Sequence, residues 1–348
     1  MRVAWACEIR GITTMKIIST VALDPSHRTA IAAAIAGVEL LDRQCRSPED
    51  ISEFVSGGCD VLLSFRMPDD ILARARGLKW VQLLSAGADH ALGGPMKSAA
   101  IPITTASGVH ATPIAEYTLA SMLAYARRFH ITIRAQQRHE WSRRTVISSL
   151  DVIRGKTLGI VGYGSIGRET ARLAQAFGMR VLALKRNPAE LRETGWTPRG
   201  LGDPEGRIPA RWFGPEQIAE LLKESDYVSV TLPLTSATRK FIGAREISAM
   251  KPGAYFVNIG RGAVVDEAAL AAALADGRIG GAGLDVFEHE PLEAASPLWD
   301  LEQAILTPHV SGDFRGYMEL ACELFAENLR RFQAGEPLLN RVDPALGY

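Results

Sequence analysis

Apolar residues along this chain follow two alternating rhythms. Short runs at 17–22, 38–41, 61–65, 80–84 and 101–104 have the length and β-branched content of buried strands, and the stretches between them, at 28–36, 48–56 and 69–75, place apolar residues at helical spacing. Strand and helix taking turns predict a small α/β domain with a mostly parallel sheet. Pro113 then opens a long helical stretch, IAEYTLASMLAYARRFH, apolar around most of its circumference and so expected to be buried, in part against another subunit. A second series follows, with strands at 158–161, 181–184, 227–232, 254–258, 281–285 and 304–307 and helices near 215–222, 247–250 and 267–275. Six strands are the count of a doubly wound sheet. A last helix is expected over 317–334, where Leu320, Ala321, Leu324, Phe325, Leu329 and Phe332 recur with the helical period and Gly335 ends the run. Coming after the second series, it is free to return and pack on the first domain.

Two stretches keep neither rhythm. Residues 187–213 mix proline and glycine with Trp196 and Trp212 and are longer than a usual connection; the tryptophans predict an ordered loop that packs on something. Residues 1–14 precede Met15-Lys16-Ile17-Ile18, the natural start of a first strand, and lack the apolar core of a signal peptide, so a disordered extension is expected there. Composition narrows the class without changing this outline. Hydrophobic residues make up 47% and charged ones 22%, and 39 Lys plus Arg balance 39 Asp plus Glu, which is not the basic footprint of a nucleic-acid binder. The four cysteines lie far apart without metal-ligand spacing, which predicts reduced thiols in a cytoplasmic protein and no metal site. No apolar run is long enough to span a bilayer.

The candidate chemistry sits at strand ends. The stretch LGIVGYGSIGRETARLAQAFGMRVLALKR at 158–186 is one βαβ unit carrying G-x-G-x-x-G in its required context. Gly162 makes the tight turn, Gly164 admits a pyrophosphate to the backbone, Gly167 lets helix and strand pack closely, and the helix from Ser165 aims its free amides at the phosphates. Arg261, Glu290 and His309 each follow a strand of the second series. A carbonyl that accepts hydride needs a proton donor, for which histidine is suited near neutral pH; a carboxylate would fix its tautomer, and a guanidinium can fork onto a substrate carboxylate. At the end of the second strand of the unit, eighteen residues beyond Gly167, the acid that would hold the ribose hydroxyls of NAD is replaced by Lys185 and Arg186. Two cations suit the 2′-phosphate of NADP, so the expected cofactor is NAD(P), with NADP favoured over NAD.

These segments, VGYGSIG, PLTSATR, VNIGRGAVVDEAAL, AGLDVFEHEPL and LTPHVSG in that order, with LLSAGADH and ASGVHATPIAEYTLASML before them, resemble the D-isomer-specific 2-hydroxyacid dehydrogenase family. The resemblance implies two doubly wound parallel-sheet α/β domains with a cleft between them. One is a flavodoxin-like substrate-binding domain, 15–112 completed by 313–348, and the other an NAD(P)-binding Rossmann domain, 113–312. It implies hydride transfer between NAD(P)H and a 2-oxo acid, with glyoxylate and hydroxypyruvate as candidates. Arg261 would grip the substrate, His309 would donate and accept the proton, and Glu290, not Glu288, would pair with the histidine. Ser85, Ala86 and Gly87 would hold the substrate carboxylate. Ser165, Ile166, Thr112, Leu232, Pro233, Ile259 and Asp285 would touch the cofactor, and the long helix would build a homodimer. Other readings on the same scaffold are a dehydrogenase of another hydride donor, phosphite or formate, and a cofactor-sensing binding protein like the corepressors that share the fold.

Overall fold

The computed structural model describes residues 14–88, 90–92 and 95–347, so all but Thr14 of the expected N-terminal extension lies outside the described residues. The described chain divides into two compact units, one running through Ser107 and resuming at Gly316, the other spanning Gly108–Arg315.

In the first unit β1 (Met15–Ser19), β2 (Val38–Asp42), β3 (Val61–Ser64), β4 (Trp80–Leu83) and β5 (Ile103–Thr104) form one parallel sheet in the order β2-β1-β3-β4-β5, the flavodoxin-like arrangement. VLLS and WVQL are buried throughout, as strands covered on both faces must be. The helix Tyr317–Ala334 returns to one face, packing Phe325 and Phe332 against Trp80 at ring separations of 5.3 and 5.5 Å. A buried polar chain fixes its position. Trp80 Nε1 donates to Thr104 Oγ1, Thr104 to Gln82 Oε1, and Asn328 Nδ2 of the helix to the same Gln82 oxygen. Each of these groups would be costly to bury unpaired. The helix ends where expected, on Gly335 at φ 69°.

The second unit holds seven parallel strands, not six: β6 (Thr157–Val161), β7 (Arg180–Leu184), β8 (Arg211–Phe213), β9 (Tyr227–Val230), β10 (Tyr255–Asn258), β11 (Gly281–Leu284) and β12 (Ala304–Leu306), in the order β12-β11-β10-β9-β6-β7-β8. The additional strand is β8, the last three residues of the 187–213 stretch, too short to show a period of its own. The long helix also departs from expectation. It starts at Ala111 and stops at Ala126, and a second helix, Phe129–Gln137, begins after Arg128 at φ 56°. The Arg128 guanidinium lies over the Tyr125 ring and its Nε donates to the Ser149 carbonyl, contacts that hold the left-handed residue in place. Residues 108–112 and 313–315, expected in the first domain, group with the second unit. Residues 108–112 lead into the helix Ala111–Ala126, whose Ile114, Leu119 and Met122 share one core with Ala171 and Ala174 of the helix Ser165–Ala176, and Asp313 stays with the loop before it through its amide, which donates to the Val310 carbonyl. Among the described residues no helix is long and apolar enough to cross a membrane.

Candidate active site

Between β6 and the helix Ser165–Ala176 the chain turns on Gly162, whose φ of 105° excludes other residues and whose amide donates to the Leu184 carbonyl at the end of β7. A Cβ on Gly167 would stand 2.4 Å from the Gly162 carbonyl oxygen, so only glycine lets helix and turn meet. A Cβ on Gly164 would meet no atom within 4 Å, and no side chain caps the helix that follows. The mouth of the turn is open, and uncapped amides from Ser165 and Ile166 onward border it. A dinucleotide pyrophosphate fits this turn in space and in charge.

Arg261, Glu290 and His309 follow β10, β11 and β12, which lie side by side. Asn258 shapes the first turn: its Oδ1 accepts from the Gly260 amide and its Nδ2 donates to the Arg261 carbonyl. The Arg261 Nη1 donates to the Gly260 carbonyl. After it, Gly262 is pressed against the next arm so closely that a Cβ would fall 1.8 Å from the Phe287 carbonyl carbon. In that arm Glu290 Oε1 accepts from the Phe287 amide, and Oε2 lies 2.7 Å from His309 Nδ1. Glu288 turns the other way, 3.7 Å from Lys240. The pair Glu290–His309 is therefore selected by geometry from neighbouring acids.

His309 has a left-handed backbone, φ 55°, which costs a non-glycine residue about 1–2 kcal/mol. Asp285 offsets this cost. Its carbonyl accepts from the His309 amide at 2.9 Å, and its fully buried carboxylate accepts from Thr307 Oγ1 at 2.5 Å, Val310 N at 3.0 Å and Ser311 N at 2.9 Å. Asp285, expected to touch cofactor, is thus committed through both carboxylate oxygens to the histidine loop. Of the other expected contact residues, Ile259 is buried at the end of β10, while Leu232 and Pro233 after β9, and Thr112 in the first turn of the helix Ala111–Ala126, are half-buried. Lys185 is half-buried with Nζ donating to the Glu190 carbonyl at 2.5 Å, and burial, then the Arg168 charge, lower its pKa; Arg186 is exposed. In the first unit Ser85, Ala86 and Gly87 follow β4 in a turn closed by Ser85 Oγ donating to the Gly87 carbonyl. Tyr317 OH donates to the carbonyl of Leu84, the residue before that turn.

Several polar groups here carry no motif. His110, next to the start of the helix Ala111–Ala126, is pushed down to about 4 by burial and, less strongly, by the Arg261 charge, with Asp313 opposing. It is neutral at physiological pH. Tyr117 lies 2.7 Å, hydroxyl to hydroxyl, from Thr307, and burial raises it to about 12. Arg168, beside the last fingerprint glycine, is 1% exposed and binds the 187–213 stretch. None of these partnerships has a local signal, because the partners are far apart in the chain.

Residues 119–311 match the family described as "D-isomer specific 2-hydroxyacid dehydrogenase, NAD binding domain". The chain belongs to this family of NAD(P)-dependent oxidoreductases, which act on small 2-oxo and 2-hydroxy acids. It is 37% identical to a glyoxylate reductase of Aeropyrum pernix, over 81% of each chain, and 33% identical to an (S)-sulfolactate dehydrogenase of Chromohalobacter salexigens, over 85% of this chain and 94% of the relative. Among solved structures it is similar to a D-isomer specific 2-hydroxyacid dehydrogenase of Xanthobacter autotrophicus, in complex with NADPH and MES, at 31% identity and a TM-score of 0.77, covering 96% of this chain and all of the other.

Proposed function

We propose that this chain reduces glyoxylate or hydroxypyruvate, with NADPH preferred over NADH. The observation that carries the reading is the 2.7 Å Glu290–His309 pair, held beside the Arg261 turn on adjacent strand ends. In this reading Glu290 holds Nδ1 and so leaves His309 Nε2 as the nitrogen that gives its proton to the substrate oxygen in reduction and takes it back in oxidation. Arg261 binds the substrate carboxylate and polarises the carbonyl. Ser85, Ala86 and Gly87 of the first, substrate-binding unit hold the carboxylate through backbone amides. The Gly162–Gly167 turn would bind the pyrophosphate, and Thr112, Leu232, Pro233 and Ile259 would border the rest of the cofactor, which when bound supplies a hydride.

The substrate reading is supported by glyoxylate reductases at 35–37% identity, and by a 31% identical glycerate dehydrogenase of Methylorubrum extorquens. The cofactor preference is supported by Lys185 and Arg186 in place of an acid, and by similarity to a NADPH-dependent glyoxylate/hydroxypyruvate reductase of Sinorhizobium meliloti, in complex with NADP and sulfate, at 26% identity. We extend the reading to a homodimer, because Phe129, Ile133, Val152 and Phe177 are exposed and Trp141 is 91% exposed. Oxidation of NADPH and NADH is to be followed with glyoxylate, hydroxypyruvate, phosphite and formate, alongside the His309→Ala variant. Turnover of the 2-oxo acids, faster with NADPH and lost in the variant while cofactor still binds, is expected. A variant that keeps turnover within a few-fold removes His309 from the mechanism, and a clear NADH preference removes the cofactor reading.

A further inference from the structure

Residues 187–213 leave β7 at the corner where a Rossmann sheet takes the adenosine ribose, and return as β8 beside it. Buried charge ties this stretch to the phosphate-facing helix. Arg168, in the first turn of that helix, donates through Nη1 to the Asp203 carbonyl and through Nη2 to the Leu191 carbonyl at 2.7 Å. Its Nε lies 2.8 Å from Glu193 Oε2, an ion pair rather than an aligned hydrogen bond. The other Glu193 oxygen accepts from the amides of Thr194 and Gly195. Glu169, also buried, accepts from the Gly202 amide, and Tyr163 OH donates to Asp203 Oδ2. Lys185 reaches the same segment through the Glu190 carbonyl. Two cations thus converge on residues 190–193 and hold them in place.

We propose that residues 187–213 select a 2′-phosphorylated adenosine over a plain one, with Arg168 as the positioning residue and its ion pair with Glu193 as the charge balance of the site. The proposal rests on the NADP reading above. A free carboxylate at this corner would bond ribose hydroxyls and repel a 2′-phosphate. Glu193 would be such a carboxylate without its ion pair to Arg168, and Lys185 at the end of β7 lies within its field. Arg168 cancels its charge while the loop amides occupy its second oxygen. Lys185 also ties this loop down, through Nζ donating to the Glu190 carbonyl.

The test is calorimetric binding of 2′,5′-ADP and 5′-AMP, which differ only in the 2′-phosphate, to the full chain. The wild type should favour 2′,5′-ADP. Glu193→Gln, close to isosteric, should raise that preference about fivefold by removing one negative charge from the segment that Lys185 touches. Arg168→Met should lower it about tenfold with 5′-AMP changed by no more than about twofold, and Arg168→Met with Glu193→Gln should regain most of the loss, a rescue that a purely structural role does not provide. If Arg168→Met fails to fold, Glu193→Gln decides alone. A wild type that binds both nucleotides equally overturns the NADP reading and the proposal together. A wild type that discriminates while the variants leave its preference unmoved, or weaken both nucleotides alike, overturns the proposal only.

Discussion

Asp285→Asn asks whether the histidine loop needs a carboxylate beneath it. In the native protein Asp285 accepts three side-chain hydrogen bonds, from Thr307 Oγ1, Val310 N and Ser311 N, at a site with no solvent exposure. An amide of the same shape keeps one oxygen. Whichever way it turns, its NH2 faces a backbone N–H of Val310 or Ser311. One charge-assisted bond is then lost, worth roughly 1.5–3 kcal/mol, and an amide is left without an acceptor at about 1–3 kcal/mol. Relief from burying the carboxylate offsets part of this, so a net loss of about 3 kcal/mol is expected, concentrated on a loop already holding His309 at positive φ. If the loop escapes by displacing His309, kcat falls about 100-fold, since each 1.36 kcal/mol is a factor of ten. Steady-state glyoxylate reduction gives kcat, nucleotide fluorescence gives the NADPH Kd, and thermal unfolding reports whether the fold survives. A variant with kcat within about threefold of wild type would refute the idea that this carboxylate sets the histidine.

Stability should depend on His110 in acid. Its pKa falls from 6.5 to about 4 on folding, so between those values the unfolded chain binds a proton that the folded chain does not. The contribution is whole above pH 6.5 and shrinks as pH drops, by up to about 3 kcal/mol at pH 4. Urea unfolding at both pH values should therefore show a smaller acid loss for His110→Gln than for wild type; equal losses count against it. Gly262→Ala should abolish the fold or the activity, because its Cβ would overlap the Phe287 backbone; a soluble, active variant with an unchanged Tm is the contrary result. Tyr317→Phe removes the donor to the Leu84 carbonyl beside Ser85, and should raise KM for the 2-oxo acid about fivefold with kcat little changed, the size of one hydrogen bond. An unaltered KM would detach Tyr317 from substrate binding.

What could be read from the chain without its structure was local. The glycine turn is legible because three glycines, a strand and a helix N-terminus stand within ten residues, and the helix Tyr317–Ala334 because its period and its terminal glycine agree. Arg261, Glu290 and His309 could be singled out because parallel sheets place functional groups after strand ends. Less was visible wherever a buried polar group chose a distant partner. Asp285 takes bonds from residues 22–26 positions later, and Arg168 answers a carboxylate and carbonyls 23–35 positions on, pairings that no spacing rule anticipates. The break at Arg128 was hidden by an apolar pattern that continues through it. β8 was hidden because three residues cannot express a period of two.

The contact between Gly262 and the Phe287 backbone has a consequence for how this enzyme can be altered. With no room for even a methyl group between them, the arginine arm and the glutamate arm are one casting, and neither can be lengthened, tilted or swapped without recasting the other. Variation that preserves the chemistry is thereby pushed to segments outside these two arms. An engineer seeking a new substrate should diversify there and leave 258–262 and 285–290 untouched.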